Sequence, residues 1–267
     1  MAAPGQESPS PDGKIIAVEN LVLGYGEHVV LDGVSFTVRQ GEILSILGPS
    51  GCGKSTLLKA LAGLITPMQG RIRMVGKEIT AENPEEALER VRRHIGVLFQ
   101  SGALFESLTV AENVALPLEE FTDLPRELID TIVQLKLDLV DLGGFANLMP
   151  GELSGGMRKR AGLARTMALD PQILLCDEPA SGLDPVIARE VDELLLELNQ
   201  ALGITLVVVT HSLASVHNLS GHCLMLDTKT KGIIAAGPLE DLKRSKNPEV
   251  RDFFHRYIGE ESNEEEE

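Results

Sequence analysis

The chain has 267 residues, 43% hydrophobic and 24% charged, enough for one sizeable or two small domains with a substantial core, which excludes a chain disordered throughout. Only 3% of residues are aromatic and Trp is absent, so the core must be aliphatic, as in layered α/β proteins with buried strands. A formal net charge of −16 argues against a general nucleic-acid surface, and no nucleic-acid partner is expected.

The first segment, 1–14, "MAAPGQESPSPDGK", reads as a disordered lead-in without the apolar stretch of a signal peptide or an amphipathic anchor. From Lys14 onward strand-like and helix-like segments alternate. Strands are predicted near 15–23, 33–38, 43–48, 71–75, 95–99, 172–177, 204–209 and 222–227, with a short last one at 232–237. Between 101 and 170 the strand signal disappears, and helical periodicity takes over at 126–140 and at 156–169, which predicts a helical insertion in a strand-rich chain. No run approaches the roughly 18 to 20 apolar residues of a membrane span, so any membrane role is expected through partners only. Cys52, Cys176 and Cys223 lie far apart without a CxxC pair, which suggests neither a disulfide framework nor a zinc site and fits a reducing cytoplasm.

"GPSGCGKST" at 48–56 follows an apolar strand and opens a helix, the context a phosphate loop requires. Gly48, Gly51 and Gly53 let the loop turn its N–H groups inward around phosphate oxygens. Pro49, Ser50, Cys52 and Thr56 complete that cradle, Lys54 reaches the β and γ phosphates, and Ser55 supplies a Mg²⁺ ligand. ATP and Mg²⁺ are therefore the expected cofactors. "ILLCDEP" at 173–179 is a buried strand ending in two acids; Asp177 is expected on the metal side and Glu178 as the general base, the alternative being a helix N-cap. Gln100 and His211 also end strands, and the C-terminal edge of a parallel sheet is where ligands bind. They are candidates to reach the γ phosphate, its Mg²⁺ or the attacking water, with ordinary capping as the alternative. Tyr25, in "GYG", is a candidate to stack on the base. In "LSGGMRKR" at 153–160, Ser154 can cap a helix whose Gly155 and Gly156 expose N–H groups, which forms a second anion site.

Taken together, these motifs resemble the nucleotide-binding subunit of ABC transporters over about 15–245. Tyr25 is similar to the A-loop, 48–56 to Walker A, Gln100 to the Q-loop, 153–157 to the signature, 173–178 to Walker B, 181–184 with Asp184 to the D-loop, and His211 to the switch histidine. The resemblance implies a P-loop NTPase (RecA-like) α/β core with an antiparallel β subdomain and a helical signature subdomain at about 101–170. It also implies a head-to-tail homodimer, in which the signature Ser154, Gly155 and Gly156 close over ATP held by the partner. Two integral-membrane permease subunits are implied as well. Met157 departs from the family's commonest signature, which has Gln there. With "VLFQSGALFESLTVAENVALPL" (97–118) and "ELSGGMRKRAGLARTMALDP" (152–171), it resembles the Mla/Mce branch, which implies phospholipid movement in a Gram-negative envelope. An MCE-domain periplasmic partner and a peripheral position on the cytoplasmic face of the inner membrane follow from that resemblance. The alternatives are an ABC ATPase for another substrate, such as an amino acid, and a soluble ABC-type assembly or regulatory ATPase. A simple kinase or GTPase would leave LSGGM and His211 without a purpose.

The end of the chain, 246–267, reads as a helix followed by an acidic tail. From Pro248, the residues Val250, Phe253, Phe254 and Tyr257 follow i, i+3, i+4, i+7 spacing and form one apolar stripe. Two destinations are open: the stripe folds back on its own domain, or it crosses to a partner ATPase.

Overall fold

The structure, a computed structural model, describes residues 13–80, 82, 88–89, 91–219 and 221–255. It opens with β1 (Lys14–Tyr25), β2 (His28–Arg39), β3 (Ile43–Leu47), α1 (Lys54–Leu61), β4 (Gln69–Met74), β5 (Lys77–Ile79) and β6 (Ile95–Leu98). Three helices follow: α2 (Val110–Phe121), α3 (Arg126–Asp138) and α4 (Gly155–Thr166). The chain then runs through β7 (Ile173–Asp177), α5 (Pro185–Leu202), β8 (Thr205–Val209), α6 (Leu213–Leu219), β9 (His222–Asp227), β10 (Gly232–Pro238) and α7 (Leu239–Lys243). A last helix, α8, is described from 248 to 255.

Ten strands form two sheets among the described residues: an antiparallel one of order β2-β1-β4-β5, and a larger one of order β10-β9-β3-β8-β7-β6 in which β9, β3, β8, β7 and β6 run parallel. β2 begins five residues before the strand predicted at 33–38, because pairing begins straight after the hairpin, at Tyr25↔His28. The short β5 carried no sequence signal of its own; it exists as the return of a tight turn after Met74.

Parallel strands must bury both faces, and these do. Along β7, Ile173 and Leu175 face a core shared with α1 and the antiparallel sheet (Leu57, Leu61, Ile16, Leu31). Leu174 and Cys176 face the opposite core, built with the helical segment and α5 (Val114, Val133, Leu163, Leu195). So α1 is packed between the two sheets, and the chain it caps, the phosphate loop, is held from both sides. Between β6 and β7 the described residues contain helices and short 3₁₀ turns but no strand. α2 starts there with a capping box: Thr109 Oγ1 accepts from Glu112 N at 3.2 Å and Glu112 Oε2 accepts from Thr109 N at 2.7 Å.

Pro248 does start a helix, and its stripe turns inward. Val250, Phe253 and Phe254 are buried with Leu47, Val216, Met225 and Leu242, and the two Phe rings meet edge to face at 5.5 Å. The stripe as described folds back on its own domain rather than crossing to a partner. Tyr257, the acidic tail and residues 1–12 of the lead-in lie outside the described residues.

Candidate active site at the strand edge

β3 is buried along its whole length and delivers the chain into the loop 48–53 at the C-terminal edge of the parallel sheet. Two glycines there are obligatory. Gly48 has φ 142°, and a Cβ on it would lie 2.4 Å from Leu226 O and 2.7 Å from Cys52 Sγ. Gly53 has φ 102°, and its Cβ would strike Leu31 Cδ2 at 2.8 Å. The second contact seats the loop against β2. It also brings the β1–β2 hairpin, with the exposed ring of Tyr25 at its turn, to the loop's side of the molecule. Cys52 is buried in the loop, and burial raises its thiol pKa.

Beyond Gly53 the chain enters α1, whose first N–H groups have no acceptor within the helix. Lys54 Nζ lies back over the loop, donating to Gly48 O at 2.7 Å and Pro49 O at 3.1 Å. Ser55 Oγ donates to Asp177 Oδ1 at 3.2 Å. A hydroxyl and a carboxylate brought together in this way are a hard oxygen-donor pair, which suits Mg²⁺. The Asp177 carboxyl is held above the usual carboxylate range, chiefly by burial; the Ser55 hydrogen bond opposes this and the Glu178 charge adds to it.

Glu178 sits one residue beyond β7 with φ 51°, a left-handed conformation that costs a non-glycine residue about 1 to 3 kcal/mol and collects at functional sites. Its N–H donates to Val209 O at 2.8 Å, which fixes it beside the end of β8. The carboxylate then meets the residue two beyond that strand: His211 Nδ1 is 2.7 Å from Oε1, and the His211 N–H donates to Oε2 at 3.4 Å. A carboxylate only accepts, so Nδ1 carries the hydrogen. The alternative reading of the acid pair as a helix N-cap fails: residues 178–181 form a turn, and the helix that follows is capped by Asp184.

Gln100 lies on the loop after β6, and its side-chain amide donates to Ser181 Oγ at 3.2 Å. Its described partner is thus the 181–184 turn, not Ser55 or Asp177. Asp184 uses Oδ1 to cap α5, accepting from Val186 N at 3.2 Å and Ile187 N at 3.1 Å.

The stretch expected to form a second anion site is a helix start, as its sequence indicates. Ser154 is the N-cap of α4 and its Oγ accepts from Met157 N at 3.2 Å. Gly156 must be glycine, since its Cβ would lie 2.5 Å from Ile187 Cγ2. Gly155 lies under Leu183, whose Cδ2 would be 3.1 Å from a Cβ. Among the described residues no hydrogen bond or ion pair joins 154–156 to the loop 48–56. The three cations that follow are occupied within the chain. Arg158 donates to Leu153 O, and Arg160 pairs with Asp141 and Glu190. Lys159, which the motif reading left unassigned, is buried and donates to the carbonyls of Gln100 and Glu178. Gly156, Lys159 and Leu163, at i, i+3, i+7, all face inward, a spacing that places Lys159 on the core side of the helix. Ser181 is a second addition, visible in sequence only as a member of "SGLD".

A strand-to-helix phosphate loop, a hydroxyl bonded to an acid, and a strained Glu bonded to a His at one parallel-sheet edge define a P-loop ATPase. The chain belongs to the ABC transporter family, whose profile matches residues 31–181. It is 43% identical over 260 residues to the "probable ribonucleotide transport ATP-binding protein mkl" of Mycobacterium leprae, covering 97% of this chain and 74% of that one. It is 42% identical over 240 residues to the "intermembrane phospholipid transport system ATP-binding protein MlaF" of Haemophilus influenzae, covering 90% of each. Among solved structures, a dimeric ATP-binding cassette in a post-hydrolysis state with ADP and Pi superimposes with a TM-score of 0.74 at 31% identity, covering 84% of this chain and 98% of that one.

Proposed function

We propose that this chain is the ATP-hydrolysing subunit of a phospholipid-moving ABC system, working as a homodimer beneath two membrane-embedded permease subunits at the cytoplasmic face of the inner membrane. One observation carries the enzymatic half: Lys54, Ser55, Asp177, Glu178 and His211 converge on one sheet edge, each held by a named partner. Lys54 exchanges its loop carbonyls for the β and γ phosphates of ATP, and the N–H groups of 48–56 surround those phosphates. Ser55 and Asp177, with Gln100 entering from its loop, hold the Mg²⁺ that accompanies ATP. Bound there, the ion would neutralise phosphate charge and polarise the terminal phosphoryl group. Glu178 takes the proton of the attacking water, and His211 fixes the direction of its carboxylate. Tyr25 stacks on the base.

Ser154, Gly155 and Gly156 bind the γ phosphate held by a second copy, with Asp184 and its turn at the same junction. Among the described residues that motif makes no hydrogen bond or ion pair with its own chain's phosphate loop, which supports this reading, as does the dimeric state of the related cassette. Loss of the γ phosphate removes the bridge between copies, and hydrolysis becomes motion.

Phospholipid as cargo is supported by the relative named MlaF, aligned over 90% of both chains, and by the resemblance of 97–118 and 152–171 to that branch; a periplasmic MCE-domain protein completes the proposed assembly. The Mycobacterium leprae relative, named for ribonucleotide transport, supports a second cargo. No described helix is long and apolar enough to cross a membrane, so the permeases supply the path. Mass spectrometry of the complex purified in detergent tests both cargoes: bound phospholipid with two permease chains is expected, and bound ribonucleotide would replace the reading. For the enzyme, Glu178→Gln is expected to abolish turnover while keeping ATP affinity; turnover within tenfold of the parent would remove Glu178 as the base.

A further inference from the structure

Lys159 is 6% exposed, which is rare for a lysine unless its charge is met. It sits on the second turn of α4, the helix whose first residues form the second anion site. Its Nζ leaves that helix and donates to two main-chain carbonyls of other elements: Gln100 O, and Glu178 O at 3.3 Å. One side chain thus joins the signature helix, the loop of Gln100 and the residue read above as the general base. We propose that Lys159 is a positioning residue for hydrolysis, transmitting the seating of the signature helix on the partner's nucleotide to Glu178 of its own chain. The proposal rests on the reading of Glu178 as the base.

Three further contacts make α4 and the Gln100 loop one body. Arg165 Nη1 donates to Ala103 O at 2.7 Å and Arg165 Nη2 to Gly102 O at 3.2 Å. A Cβ on Gly162 would lie 2.9 Å from Gly102 O, so helix and loop are already in backbone contact. Of these ties, only Lys159 also reaches Glu178. Because Glu178 is held in a left-handed conformation, its carbonyl and carboxylate directions are coupled through one strained residue. A shift of α4 pulls on the carbonyl and re-aims the carboxylate. Burial lowers the Lys159 pKa, a pull that the charges of Glu178 and Asp177 only partly oppose.

The test uses the full-length chain and steady-state hydrolysis over a range of Mg·ATP concentrations. Lys159→Met keeps length and removes the donors; kcat is expected to fall about 30-fold, since a misplacement of about 1 Å at a reacting group costs up to about 100-fold. The KM for ATP should stay within about twofold, because the phosphate loop is untouched. Lys159→Arg, which keeps charge and donors, should recover kcat to within about threefold of the parent. In a Glu178→Gln background, Lys159→Met should still pair on ATP addition. A parental kcat in Lys159→Met would overturn the proposal. So would an Arg variant as impaired as the Met variant with a matching fall in melting temperature, which would make Lys159 a filler of space. If the Met variant does not fold, Lys159→Gln replaces it, with about a tenfold loss of kcat expected at unchanged KM and a parental kcat again overturning the proposal. Rapid turnover by Glu178→Gln alone would defeat the reading of the base, a result separate from the Lys159 series.

Discussion

Phe253→Ala probes the one part of the chain for which the sequence left two destinations. Phe253 is 3% exposed and stacks edge to face on Phe254 at 5.5 Å within the cluster of Leu47, Val216 and Met225. Truncating a buried Phe to Ala costs about 3 to 5 kcal/mol from lost transfer energy and the cavity left behind, and the edge-to-face pair adds about 0.5 to 1.5 kcal/mol of that loss. In a chain of this size each kcal/mol shifts the midpoint by about 2 to 4 °C. A fall of about 8 to 15 °C in melting temperature is therefore expected. Thermal unfolding followed by circular dichroism without nucleotide reads it, and the fall should not depend on protein concentration, because the cluster is internal to one chain. Leu47 belongs to this cluster and ends the strand that feeds the phosphate loop, so ATP affinity should weaken modestly as well. A midpoint within 2 °C of the parent, or a loss seen only at concentrations that favour pairing, would refute the packing described.

Lys54→Ala should weaken binding of a non-hydrolysable ATP analogue about 10- to 100-fold in calorimetry, the value of a lost charge-assisted hydrogen bond; an unchanged Kd would contradict its role. Asp192 is 2% exposed with Oδ1 unpartnered, and burial raises its pKa. Because the folded chain then binds this proton more tightly than the unfolded one, the carboxylate opposes folding above its folded pKa and less so as pH falls toward the unfolded value. Asp192→Asn should accordingly raise the melting temperature by a few degrees at pH 8, with the gain shrinking as pH falls toward 4. A gain that grows on acidification would reverse the sign.

Much of the site was legible because its residues are tied to local geometry. A glycine at φ 142° or 102°, a lysine at the start of α1 and two acids at the end of a buried strand are short-range patterns. The parallel order that brings Glu178 to His211 followed from strands read as aliphatic runs, and the helical stretch followed from the loss of those runs. What the sequence hid depends on long-range packing. Lys159 and Gln100 are 59 residues apart, and nothing in "MRKR" distinguishes the buried lysine from its two half-buried arginine neighbours except the helical spacing from Gly156. Gln100 pointed to the metal by motif, whereas its amide lies on Ser181, a contact made across two loops. The C-terminal stripe specified burial but not the surface it would cover, since an amphipathic helix is satisfied equally by its own domain or by another chain.

The central claim is that two copies complete each other's sites, and Ser154→Arg in a Glu178→Gln background tests it most directly. Ser154 caps α4 and no hydrogen bond or ion pair among the described residues links it to the chain's own phosphate loop, so the added bulk and charge should leave ATP binding by one chain within about twofold while blocking ATP-driven pairing. Size-exclusion chromatography with light scattering should show Glu178→Gln as a dimer with ATP and the double variant as a monomer at the same concentration. A double variant that pairs as strongly as Glu178→Gln would contradict the head-to-tail arrangement.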